Sequence, residues 1–199
     1  MQTIQRDLRR SEGAMIHTMG RMLLGMLLAL SFSVSADTGN LVEWLSLKRM
    51  NEVEPVANTR YAQECSACHF AYPPGLLTAR SWRKLLAATA LANHFGDNAE
   101  LAEAARQEIE AYAVAKAADR SNYKRSRKIA AATPADSAPL RITENSYIKH
   151  KHAHIPAELI AGNPQVGSLS NCNACHTGAA AGQFDDDAVF INGYGRWDH

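Results

Sequence analysis

The sequence predicts an all-α chain built as two small domains, on three observations. A pentapeptide occurs twice, as CSACH at Cys65–His69 and as CNACH at Cys172–His176, once in each half of the 199 residues. Stretches rich in Ala, Leu, Glu and Arg place apolar residues at helical spacing, and no segment alternates with the period of two that a strand requires. Between the halves, "AAATPADSAPLR" interrupts the helical periodicity with Pro134 and Pro139, a breaker signal that marks a boundary. The expected organisation is a leader over residues 1–36, an N-terminal domain over 37–128 and a shorter, more irregular C-terminal domain over 129–199.

The leader is read from Arg21 and the run "MLLGMLLALSFSVSA" that follows it, closed by the small residues Val34 and Ala36. A basic start, a short apolar stretch and a small-x-small end form a secretory signal peptide, with cleavage expected after Ala36. The apolar run is short for a span of about 30 Å of hydrocarbon. The chain is therefore expected in the periplasm. Formal charge is +1, and loss of the leader leaves 17 basic and 18 acidic residues. A near-neutral chain excludes wholesale nucleic-acid binding. Processing also removes five of the six methionines and leaves Met50 alone.

The first pentapeptide carries chemistry. Cys65 and Cys68 lie three residues apart, a spacing that puts both thiols on one face of a helical turn. There they meet the two vinyl groups of one porphyrin edge, and His69, directly after, turns its imidazole to the iron. This is the attachment segment of a c-type haem. A disulfide within Cys-x-x-Cys would close a loop too small to restrain a domain. A four-cysteine zinc cage leaves the two histidines without a purpose, and a thioredoxin-like pair needs a βαβ context that is absent.

Beyond His69, "AYPPGLL" offers the carbonyls of Pro73 or Pro74 to the His69 Nδ1–H, and Leu76 and Leu77 as apolar walls. Arg80 and Trp82 are candidates for a propionate. A helix is expected from Ser81 to His94, stopped by Gly96. A second one over 98–118, capped by Asp97 or Asn98, has Leu101, Ala105, Ile109 and Tyr112 as its buried stripe. The basic run "DRSNYKRSRK" over 119–128 reads as a solvated linker, with a docking patch for an acidic partner as the alternative.

In the second half a short helix starting near Thr143 carries the cluster His150, His152 and His154. At these spacings His150 and His154 share one face and His152 takes another. Cys172, Cys175 and His176 then repeat the attachment segment, and the tail after His176 reads as irregular cover. Two haem c groups are thus the expected cofactors. Each iron needs a sixth ligand, and no methionine follows either motif. His94 is the histidine available to the first iron, and one of His150, His152 and His154 to the second.

The segments "ECSACHFAYPPGLLTARSWRKL", "NHFGDNAEL", "PLRIT", "KHAHI" and "NCNACHTGAAAGQF", in this order, resemble the dihaem cytochrome c family. The resemblance implies two domains, the first similar to ordinary cytochrome c, each holding one bis-histidine haem. By position it assigns Cys65, Cys68, His69 and His94 to the first haem, and Cys172, Cys175 and His176 to the second. Its Lys-His-x-x-Ile pattern selects His152 over His150 and His154. It also implies a small oxygen-binding c-type haem protein as electron acceptor and a membrane b-type cytochrome as donor. The function expected is low-potential electron transfer rather than enzymatic catalysis. The alternative is a small peroxidase or nitrogen-oxide reductase in which one distal histidine leaves its iron.

Overall fold

In the computed structural model, the residues described are 51–197; the leader expected over 1–36 and Met50 lie outside them. Six α-helices form among these residues: α1 (Thr59–Cys65), α2 (Ala79–Leu85), α3 (Ala88–Leu91), α4 (Glu103–Ala115), α5 (Lys124–Ala131) and α6 (Ser146–His152). Short 3-10 turns link them. The sole strands described are β1 (Phe190–Ile191) and β2 (Gly195–Arg196), a two-residue antiparallel ladder near the end of the chain. The all-α class therefore holds, and no described helix is long and apolar enough to cross a membrane.

Helix ends follow local chemistry. Asn58 starts α1 by accepting from the Tyr61 N–H at 2.7 Å, and Thr78 does the same for α2, each satisfying one orphan donor of a first turn. The expected long helix up to His94 is instead α2 and α3, with His94 in the turn beyond them. The expected caps of α4 are occupied elsewhere. Asn98 Oδ1 accepts from the Glu100 N–H at 2.9 Å, and the Asp97 carbonyl accepts from the His94 N–H at 2.7 Å. The helix starts later, at Glu103, where Arg106 bridges Glu103 and Glu110 at 2.8 and 2.7 Å.

Three apolar clusters sit between these elements. Around α2 and α4 lie Tyr61, Trp82, Leu85, Leu86, Ile109 and Ala113, each large side chain worth about 1.5–3 kcal/mol when taken from water. Tyr61 is wedged edge-on against Trp82 and Tyr112, with centroids 6.1 and 5.3 Å away. A second cluster joins Val53, Leu76, Ala118, Ile129, Ile148, Ala179 and Phe184, and so draws on the sequence before and after the proline-rich break. The third, of Val166, Ala174, Val189 and Ile191, lies under the C-terminal loops.

The basic run of 119–128 is not a solvated linker. Residues 124–131 form α5, with Arg125, Ser126 and Ile129 buried. The expected division at 128/129 falls inside this helix. Asn145, itself 3 % exposed, fastens α5 to α6. Its amide donates to the Ile129 carbonyl at 3.2 Å and to Thr133 Oγ1 at 2.8 Å, while its Oδ1 caps α6.

One glycine holds the C-terminal half against the start of the described chain. The Gly182 carbonyl accepts from the Glu52 and Val53 N–H groups at 2.8 and 3.1 Å. Gly182 has φ of +74°, and a Cβ there would lie 2.1 Å from the Val53 carbonyl oxygen. Gly182→Ala combines a left-handed conformation with a backbone clash, and is expected to destabilise the holoprotein by about 2 kcal/mol or more. Thermal unfolding measures this; an unchanged midpoint would contradict the packing described.

Candidate functional site

Two histidine pairs define the candidate site, one at each attachment motif. In the first, Cys65 is the last residue of α1, and the chain leaves the helix in a turn that carries Cys68 and His69. The His69 Nδ1 is paired with the Phe70 carbonyl at 2.8 Å. The proline carbonyls expected to do this are placed otherwise: that of Pro74 accepts the Trp82 indole N–H at 2.7 Å. With its indole spent there and its side chain buried, Trp82 is a core residue. Arg80 likewise donates to the Pro134 and Thr133 carbonyls at 2.5 and 3.3 Å, and to that of Ser137.

His94 comes to the first motif on a tight turn, with Phe95 at φ +58° and Gly96 at +112°. Paired N–H and carbonyl bonds between His94 and Asp97 close the turn. Arg141 covers it, its guanidinium carbon 3.9 Å from the centre of the half-exposed Phe95 ring, a cation–π contact. The His69 and His94 rings face one another at 6.3 Å between centroids and 22° between planes. His94 Nδ1 is buried without a hydrogen-bond partner. Burial, with His69 and Arg141 nearby, lowers the His94 pKa below its ordinary value, so the ring is neutral at pH 7.

In the second motif Cys172 opens a 3-10 turn, Cys172–Ala174, and the His176 N–H donates back to the Cys172 carbonyl at 2.8 Å. Helix α6 delivers His152 to this motif at a centroid distance of 6.2 Å from His176 and an interplanar angle of 77°. The His152 Nδ1 sits 2.8 Å from the Ile148 carbonyl one turn back. His150 and His154 are exposed; of the three histidines, His152 is the one the structure brings to His176. Burial pushes the His176 pKa down to about 4, helped by His152 and Arg125.

These rings leave room for one metal each. Two imidazoles bound to one metal from opposite sides, with bonds of about 2 Å, have centroids about 6 Å apart. Both pairs match that separation, and no described cluster of three or more His, Cys, Asp or Glu gathers to bind a metal by itself. No disulfide joins Cys65, Cys68, Cys172 or Cys175, and the two Cys-x-x-Cys pairs do not converge on one point as a four-cysteine zinc cage requires. Each motif instead fits a flat group fixed by two thioethers and two imidazoles.

Around the second pair lies a cavity that is partly open to solvent. Leu76, Ile148, Ile155, Leu159, Val166 and Val189 supply apolar walls, and Arg125, Lys151 and Asp186 a polar edge. An apolar cavity with a few placed charges is the usual form of a cofactor site. Phe184 packs against His176 at 5.4 Å.

Arg125 is a residue that sequence reading missed, because a basic run carries no mark of burial. It donates to Glu52 at 2.6 Å, to the Phe184 carbonyl at 2.7 Å and to Tyr147 Oη at 2.8 Å. Burial opposes its charge, but Glu52, Tyr147 and Asp186 together outweigh burial and raise its pKa. Lys151 and Asp186 complete the cluster as an ion pair.

Known proteins are similar in sequence and fold. The profile of the family described as dihaem cytochrome c matches residues 61–184. A diheme cytochrome type c from Shewanella baltica OS155 is 41 % identical, with a TM-score of 0.58 over 71 % of this chain and 98 % of its own. The diheme cytochrome c from Rhodobacter sphaeroides is 44 % identical, also at a TM-score of 0.58, over 66 % of this chain and 100 % of its own. Among curated proteins none matches.

Removing one partner of a buried ion pair leaves the other charge stranded. With side chains 9 % and 12 % exposed at Arg125 and Glu52, Arg125→Met is expected to cost about 3 kcal/mol. The double variant Arg125→Met/Glu52→Gln should recover a large part of that loss. Denaturant unfolding of the holoproteins tests the cycle, and simple additivity would contradict a coupled pair.

Proposed function

Because the chain belongs to the dihaem cytochrome c family, and its cofactors are two covalently attached haem c groups, we propose that it is a periplasmic electron carrier in which each iron lies between two histidines. In this reading Cys65 and Cys68 hold the first haem, with His69 proximal and His94 distal. Cys172 and Cys175 hold the second, with His176 proximal and His152 distal. A haem c bound in this way supplies a one-electron ferric–ferrous couple.

The observation that carries the reading is the histidine pair at each motif, with ring centroids 6.3 and 6.2 Å apart. With an imidazole on each side, neither iron keeps a position for a substrate, which favours a carrier over a peroxidase or reductase. Backbone carbonyls accept the Nδ1–H of His69 and His152, which fixes ring orientation and makes both ligands more basic. Basic imidazoles favour the ferric state, and residues 51–199 contain no methionine to raise the potential. Both potentials are therefore low. The leader over residues 1–36 supports export, and the family resemblance supports a small c-type haem protein as acceptor and a membrane b-type cytochrome as donor.

The ring planes make the two sites unequal. Nearly parallel imidazoles donate their π electrons to the same iron d orbital and split it from its partner. Nearly perpendicular rings act on both orbitals and leave them close in energy. The first pair, at 22°, belongs to the former case and the second, at 77°, to the latter.

His152→Ala is expected to turn one of two ferric haems high-spin and raise its potential. The double variant His150→Ala/His154→Ala should leave both low-spin, which also guards against rescue of His152→Ala by a neighbouring histidine. Optical spectra and a redox titration of the purified holoproteins read both changes. The reverse pattern would move the ligand to the flanking pair.

A further inference from the structure

Between the two sites stands a side chain that neither attachment motif contains. Tyr72 lies three residues after His69, and its ring packs against the His69 imidazole at 4.9 Å between centroids, tilted by 34°. Its hydroxyl reaches across 98 residues of sequence to donate to the Ser170 carbonyl at 2.7 Å. Ser170 is two residues before Cys172, and the Cys172 N–H in turn donates to that same Ser170 carbonyl at 2.9 Å. One carbonyl oxygen thus receives both the Tyr72 hydroxyl and the backbone of the second attachment segment.

Three further contacts leave Tyr72 little freedom. Its own carbonyl accepts the hydroxyl of the buried Tyr61 at 2.6 Å. Phe70 meets its ring edge-on at 5.6 Å. It is half-buried against the apolar cluster that also receives Cys172.

We propose that Tyr72 is a positioning residue shared by the two sites: its ring sets the plane of His69, and its hydroxyl ties that ligand to the Cys172 segment, so that electron exchange between the sites depends on it. The route runs from the His69 ring through the Tyr72 ring and its hydrogen bond to Ser170, and then along the backbone to Cys172. Passage of one electron oxidises one iron from ferrous to ferric and reduces the other; no atom moves, and the phenol keeps its proton. The inference rests on the bis-histidine reading above.

Tyr72→Phe and Tyr72→Leu separate the hydroxyl from the ring. In half-reduced holoprotein, exchange broadening of the haem methyl proton resonances, extrapolated to low concentration, gives the intramolecular exchange rate. Electron paramagnetic resonance of the ferric protein reads the ring planes. Tyr72→Phe should slow exchange several-fold while leaving the signal of the first site in place. Tyr72→Leu should slow it further and shift that signal, with the second unchanged. An exchange rate in Tyr72→Phe equal to that of the unaltered protein, with both haems attached, overturns the proposal; this variant decides even if Tyr72→Leu does not mature. The bis-histidine reading fails separately, if the unaltered protein shows a high-spin iron.

Discussion

Two imidazoles must be held about 6 Å apart at each of two places in one short chain. Such a separation is unfavourable for the protein alone, since a gap between rings forfeits the contacts that close packing supplies. The structure keeps it open by anchoring each ring through its backbone or its second nitrogen. His94 is fixed by the turn closed at Asp97, His69 and His152 by carbonyls, and His176 by the bond from its N–H to Cys172. The Nδ1 of His94 has no hydrogen-bond partner.

Other elements follow from the need to bring distant segments to those rings. Helix α6 has seven residues, too few to be stable by itself, and it is held through Asn145 to the end of α5. Helix α5 is held in turn by Arg125, whose guanidinium meets Glu52, Tyr147 and Phe184 at once. The N–H groups of Glu52 and Val53 also donate to the Gly182 carbonyl. The cluster thus gathers the start of the described chain, α5, α6 and the segment after the second motif beside one cavity. Its charges lie at the cavity edge, where a positive group disfavours the ferric state and a negative one favours it.

The chemistry was legible from the sequence because it is local. Cys-x-x-Cys-His needs five consecutive residues, and its meaning does not depend on the fold. The absence of methionine after either motif was equally plain and pointed to histidine. Spacing could not choose among His150, His152 and His154, since it gives relative faces without saying which face is buried. The resemblance to the family selected His152, the ring that lies beside His176. What stayed hidden depends on contacts far apart in sequence. Arg125 in a basic run looks solvated until Glu52 arrives from 73 residues away. Asp97 and Asn98 look like caps of α4 until the His94 turn takes up the Asp97 backbone and Glu100 the Asn98 side chain. Tyr72 in a proline-rich turn shows its role only through Ser170.

The central claim is that two irons sit between histidine pairs of unlike geometry. Electron paramagnetic resonance of the fully oxidised holoprotein at low temperature tests it most directly. The account predicts two low-spin ferric signals of equal intensity, one rhombic from the near-parallel pair His69 and His94, the other much more anisotropic from the near-perpendicular pair His152 and His176. A high-spin signal, or two identical low-spin signals, would contradict it.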